Sequence, residues 1–397
     1  MLKKLILPIA VFLLLSACSQ NKKTPTVIGF QSVGRGGTYL IDVEIGKERH
    51  KARFLLDTGS EITALDAEFA KKIGVKVTGT NEVEGGYSIV KYEKSEGNLL
   101  VIGQEKLEGI TFTLLSLGEE TNELGESYRV DGIIGADIMK RFTFGIDFDS
   151  SQLTLYGKEM PYSTEGYAEI PFRHTGDYFP RIQIKTTFTN GEELSGEVFF
   201  DLGAVNTLLF NTPFAQTQEI VKKAPTHVLR PANDVSGEET FHEVIRLKTL
   251  SIAGYDMHTL PVDISTSTHG VSGYPGYMGM LGAMVMSRFN FIVDTDKGKI
   301  YLKPNNHFSQ AFEFPLTTLP VQMQSGKMLM IQDVKANNAN DETIRKGSEI
   351  LSVDGQAFPN EMELWNYMYK QNGIFKLEIK NPSGQINTLD YNVVEMI

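Results

Sequence analysis

The chain has 397 residues, of which 41% are hydrophobic and 22% charged, with a formal net charge of −11. That length and apolar content suit two or three domains with their own cores and argue against a disordered chain. The acidic balance, with no basic stripe, argues against nucleic acid as a partner and is read as serving solubility.

Residues 1–17 read as an export signal. Lys3 and Lys4 form a positive start, Leu5–Leu15 an apolar run and Ser16-Ala17 a small-residue cleavage site. The run is too short to span a bilayer. Leu15-Ser16-Ala17-Cys18 resembles a bacterial lipobox, which implies lipidation of Cys18; the plainer alternative is a secretory signal with an incidental cysteine. Cys18 is the one cysteine of the chain, so no disulfide is available within it. Residues 18–26 would be a tether. With Ser19 next in line, the resemblance implies an exported lipoprotein of a Gram-negative-type bacterium, anchored at the outer membrane and facing the periplasm.

From Tyr39 onward, short alternating or apolar runs bounded by Gly, Asn and Asp recur: Tyr39–Ile45, Ile110–Leu115, Phe144–Phe148, Leu153–Tyr156, Ile182–Ile184 and Phe291–Val293. This pattern predicts a mainly β, largely antiparallel protein. One short helix is expected after Asp57, with Asp66 as N-cap and Gly74 as its stop. After this helix, Asn81–Leu100 holds Gly85-Gly86 inside alternating runs and reads as a mobile hairpin. Tyr87 is its candidate substrate-covering side chain, or equally a plain surface aromatic.

An internal repeat organises these elements. GIIGADIMKRFTFGIDFD at 132–149 aligns without gaps with GMLGAMVMSRFNFIVDTD at 279–296, nine of the eighteen positions being identical. At a nearly equal offset, FLLDTGSEIT at 54–63 faces VFFDLGAVNT at 198–207. Two related lobes are expected, residues 27–160 and 161–304, facing each other about a pseudo-two-fold axis that brings Asp57 and Asp201 together.

Two carboxylates so close in a dry site cannot both ionise. One can act as base on a water while the other protonates a carbonyl oxygen or a leaving amine, which is hydrolysis without metal or cofactor. Gly59 and Gly203 allow the tight turns that bring N–H groups to the carboxylates. Asp57-Thr58-Gly59-Ser60 after Phe54-Leu55-Leu56, with Ile133-Ile134-Gly135 downstream, resembles the aspartic peptidase superfamily over roughly residues 27–303. It is most similar to bacterial retropepsin-like or pepsin-like proteins. The resemblance implies a bilobal fold, Asp57 and Asp201 as catalytic carboxylates and a peptide or protein substrate. It also implies a hydroxyl of Thr58 that bonds across the two-fold axis, and Ser60 orienting Asp57. The second copy departs from the pattern, because Leu202 stands where a threonine would supply the reciprocal hydroxyl. A weakly active or inactive peptide-binding lipoprotein is therefore the alternative, and pairing of two chains through Asp57 a third reading that the repeat argues against.

Residues 313–397 differ in character. Glu361–Lys370 is amphipathic, and Phe375–Ile379 and Thr388–Val394 read as strands, giving a small α+β module. Lys346–Gly355 resembles a PDZ signature, which implies capture of a peptide C-terminus at a sheet edge; a purely structural appendage is the other reading. Asp294–Gly298 looks like the start of a calcium loop without its later ligands and reads as a hairpin turn, like Asp147–Ser151. The seven histidines show no HExxH spacing, so no metal site is expected.

Overall fold

The computed structural model describes residues 24–393, apart from 35–36, 86–88, 122–126, 159, 173–179, 234–238, 313–318, 341 and 372. Cys18 and the signal segment, Gly86 and Tyr87 lie outside the described residues. No helix among the described residues is long and apolar enough to cross a membrane.

The apolar runs become strands, and the chain is mainly β. In the first half, His50–Leu56 lies between Thr38–Ile45 and Gly132–Ile134. The pairing with Gly132–Ile134 is parallel, with Ile133 opposite Leu55, and that short strand is antiparallel to Ala64–Asp66. The expected helix forms at Ala67–Lys72. The Asp66 carboxylate caps it by accepting the Phe69 amide at 2.8 Å, and Gly74 follows at φ 76°.

The second half repeats the arrangement. Glu193–Phe200 runs parallel to Gly279–Leu281, with Phe199 opposite Met280, and that strand is antiparallel to Leu208–Phe210. The repeated Gly-Ala turns each open a one-turn helix, Ala136–Met139 and Ala283–Met286. The two aspartate-rich turns join hairpins, Thr143–Asp147 with Gln152–Tyr156 and Phe289–Asp294 with Lys299–Pro304.

These two hairpins join the halves into one sheet. Thr143–Asp147 pairs antiparallel with Phe289–Asp294, and Gly145 stands opposite its own repeat counterpart, Ile292. The pseudo-two-fold axis therefore passes between those two residues. Phe148 and Phe200 both pack edge-on or tilted against Phe291, at centroid distances of 5.9 and 5.1 Å. Asn290 locks the join, donating to Asp149 and accepting the Phe148 amide, each at 2.9 Å. One apolar core runs through both halves.

The C-terminal module has a separate core of residues such as Val321, Leu364, Phe375 and Tyr391. Its five-stranded sheet begins at the edge strand Val321–Gln324, and the amphipathic stretch is a helix, Glu361–Gln371. Two helix side chains close on that edge: Glu361 accepts the Met323 amide, and Trp365 Nε1 donates to the Leu319 carbonyl at 2.9 Å. Gln332 bridges this module to the second half, accepting the Leu229 amide at 2.9 Å and donating to the His227 carbonyl at 3.5 Å.

Candidate functional site

Asp57 and Asp201 each follow the last residue of a buried strand, and the structure brings them together. The Asp57 amide donates to Ile134 O at 3.1 Å and the Asp201 amide to Leu281 O at 3.0 Å, so both are pinned to the short central strands in the same way. The backbones then turn through Gly59 and Gly203. A Cβ on Gly59 would stand 2.2 Å from Asp201 Cγ, and one on Gly203 would stand 2.3 Å from Asp57 Cγ. Each glycine thus seats the other half's carboxyl group, and no side chain fits at either position.

The amides of Gly59 and Ser60 both donate to Asp57 Oδ1 at 2.9 Å, and Gly203 donates to Asp201 Oδ1 at 2.8 Å. Ser60 orients Asp57 through its amide rather than its hydroxyl, which instead donates to Ile62 O at 2.7 Å. Thr58 does cross the axis. Its hydroxyl donates to Phe200 O and accepts from the Leu202 amide, both at 2.8 Å. Leu202 is fully buried in the core and supplies no hydroxyl in return.

Asp201 is 7% exposed and Asp57 somewhat more open. The two carboxyls hydrogen-bond to one another. Burial raises Asp57 above its ordinary value, while the bond from Asp201 and the Gly59 and Ser60 amides pull it back. Burial and then the charge of Asp57 hold Asp201 well above the carboxylate range, against the Gly203 and Gly59 amides. The pair therefore retains a proton where isolated carboxylates lose theirs, and that proton belongs to the pair as a unit.

The glycine-bearing hairpin is present, Gly79–Glu84 pairing with Ile89–Ile102 from Gly79↔Lys94 to Glu84↔Ile89. Its described end reaches the other half. Gly85 O accepts the Val271 amide at 3.2 Å, and the hydrogen bond of the Tyr274 hydroxyl to Glu84, followed by the charge of that carboxylate, raises the tyrosine. A second hairpin stands at the equivalent place, Val228–Asn233 with Glu239–Ile252. The repeat covers that stretch too, but with low identity.

Other residues of the site escape a reading by motif. The Thr63 hydroxyl accepts the Gly135 amide at 3.2 Å and donates to Asp137 at 2.7 Å, bracing the Ile-Ile-Gly turn beneath Asp57. Burial raises Asp137 above the ordinary range. In the second half, Arg230, His242 and Asp263 form a charged cluster: Arg230 donates to Asp263 Oδ1 at 2.6 Å, and His242 Nδ1 lies 3.4 Å from the same oxygen. Asp263 is buried, which raises its carboxyl, but Arg230 and His242 outweigh that and hold it below the ordinary range. Only the repeat register, applied strand by strand, points to these positions.

Among known proteins, a UBA domain-containing protein, Mud1, of Schizosaccharomyces pombe is 29% identical over 140 residues, covering 34% of this chain and 38% of that protein. The chain thus spans well under half of that relative's length. Residues 41–138, which include Asp57 and end inside the helix after Gly135, match the family described as aspartyl protease, and this match supports placing the chain in the aspartic peptidase superfamily.

Proposed function

We propose that the protein is an aspartic endopeptidase in which Asp57 and Asp201 share one proton and activate a water against a peptide bond. The observation that carries this reading is the reciprocal seating of each carboxyl on the other half's glycine, with the Asp57–Asp201 hydrogen bond between them. The ionised member takes a proton from water as its oxygen attacks the carbonyl carbon, and the neutral member gives its proton to the carbonyl oxygen. The tetrahedral adduct then collapses: its C–N bond breaks as the leaving nitrogen takes the proton the first carboxyl had accepted from water, and a hydroxyl of the adduct returns its proton to the other carboxyl, restoring the shared proton. The glycine hairpin covers the cleft, Cys18 anchors the chain by lipid in the periplasm, and the C-terminal module acts as a PDZ-like tether for peptide ends.

A second reading, a peptide-binding lipoprotein without turnover, draws on Leu202, since the dyad is braced by a hydroxyl from one side alone. Cleavage of a peptide pool from acid to neutral pH by the wild type, Asp57→Asn and Asp201→Asn, with and without a statine-type inhibitor, separates the two. The peptidase reading requires wild-type cleavage that both substitutions and the inhibitor abolish. Binding of statine peptides without cleavage supports the second reading.

A further inference from the structure

The sheet face that carries each aspartate continues outward as a wall, and the two walls differ. In the first half, Leu55 lies two residues before Asp57 and shares its side of the strand. Leu55 is opposite Ile133, Ile133 opposite Ala64, and Ala64 opposite Thr113. Ala64, Ile133 and Leu115 form an apolar cluster separate from the main core, with Leu55 and Tyr92 packed on it. On the hairpin, Asn81 stands opposite Tyr92, and its Nδ2 donates to Thr113 Oγ1 at 2.9 Å. None of these residues is charged, and Lys94, opposite Thr113 on the same face, is paired with Glu96.

The same ladder in the second half starts from Phe199, two residues before Asp201. Phe199 is opposite Met280, Met280 opposite Leu209, and Leu209 opposite Asp263. Arg230 is opposite His242, and His242 opposite Ser265. The positions held by Asn81, Tyr92, Thr113 and Leu115 are thus taken here by Arg230, His242, Asp263 and Ser265. His242 and Asp263 are each 3% exposed, whereas a third of the Arg230 side chain is open.

We infer that the two walls select different side chains: an apolar residue against the Asp57 wall, and a hydrogen-bonding residue, carboxamide or carboxylate, against the Arg230–His242–Asp263 wall. The preferred ligand is an extended peptide whose two sides of the scissile bond are chemically unlike. This rests on the reading above that the cleft takes peptides. An apolar side chain set against the open part of the Arg230 guanidinium strips water from it and returns no hydrogen bond. A wall built for hydrogen bonding rejects the analogue that lacks the polar group far more strongly than an apolar wall discriminates by size.

The test uses the full chain and statine-core peptides that differ only by Leu or Gln at one of the two flanking positions, with dissociation constants from calorimetry and cleavage of the matching peptides. Gln is expected to bind about 100-fold tighter than Leu at one position, and Leu tighter at the other. The variant Arg230→Asn/His242→Tyr/Asp263→Thr, which installs the first half's residues, is expected to turn the Gln preference into a Leu preference. Equal binding of Leu and Gln at both positions by the wild type overturns the inference without any variant. So does an unchanged preference in the folded triple variant, or in His242→Tyr alone if the triple variant does not fold. Binding with the expected preference but no cleavage removes the peptidase reading and leaves this one standing, whereas no binding of any statine peptide overturns it.

Discussion

The hydroxyl of Thr58 holds Leu202 by its amide and Phe200 by its carbonyl, and the side chain of Leu202 gives nothing back. One half therefore clasps the loop of the other, and the clasp is made by a single buried oxygen.

Replacing Thr58 by valine keeps the shape and orphans two buried groups, the Leu202 N–H and the Phe200 carbonyl. Each unsatisfied group costs about 1–3 kcal/mol. Thr58→Val is expected to lower unfolding free energy by about 2–4 kcal/mol, read as a reduced urea midpoint with an unchanged slope. A loss below about 0.5 kcal/mol would mean that the crossing hydroxyl is not a structural clasp.

Gly59→Ala and Gly203→Ala both drive a methyl group into the opposite carboxyl, so their effects should match although they lie 144 residues apart. We expect each to reduce peptide cleavage by about a hundredfold or more, the scale of a catalytic group displaced by about 1 Å. Gly29→Ala is the control, since nothing lies within 4 Å of a Cβ there. Retained cleavage in either site variant would contradict the close approach of the two carboxyls.

The dyad also sets a direction for pH. Both carboxyls have raised values in the folded state, so the folded protein holds protons more tightly than the unfolded chain. Their stabilising contribution is complete below about pH 4 and is lost as pH rises through the raised values. Asp201→Asn removes the more strongly raised group. It should therefore melt above the wild type near neutrality, with the gap closing toward pH 4. Asp263, held low by Arg230 and His242, runs the other way, its contribution being lost as pH falls through its lowered value. Melting temperatures of wild type and Asp201→Asn from pH 3 to 8 give the difference curve directly; a gap that widens toward acid would reverse the assignment.

At the C-terminal module, an incoming peptide strand needs the outward N–H and C=O groups of Val321–Gln324. Glu361 already takes the Met323 amide. Glu361→Ala is expected to tighten binding of a labelled peptide with a free C-terminus by about fivefold to tenfold in anisotropy titrations, the worth of one competing hydrogen bond. Unchanged binding would place any peptide site elsewhere.

Much of this was legible in the chain itself. Asp57-Thr58-Gly59 and the two Gly-Ala turns stand out because the geometry around a buried carboxyl pair tolerates few residues, and the repeat then locates Asp201. The short helix was legible because Asp66 and Gly74 are terminal signals with a local cause. The shared sheet was not, since alternation in Phe144–Phe148 reports a strand but not its partner. That Ser60 orients Asp57 through its amide was not legible either, because a motif names a residue and not the atom that acts. Arg230, His242 and Asp263 sit at offsets of 149 and 150 from their counterparts rather than 147, and no shared residue type marks them.

The join at Gly145 and Ile292 bears on how the cleft responds to dilution. A site assembled from two separate chains empties as the chains part, so its specific activity falls at low concentration. Here the partner is tethered at a fixed effective concentration and paired strand to strand, so turnover per molecule should stay constant down to nanomolar protein. The tether also frees the halves from self-complementarity. A symmetric dimer must change both copies of a residue at once, whereas this chain holds threonine on one side of its axis and leucine on the other.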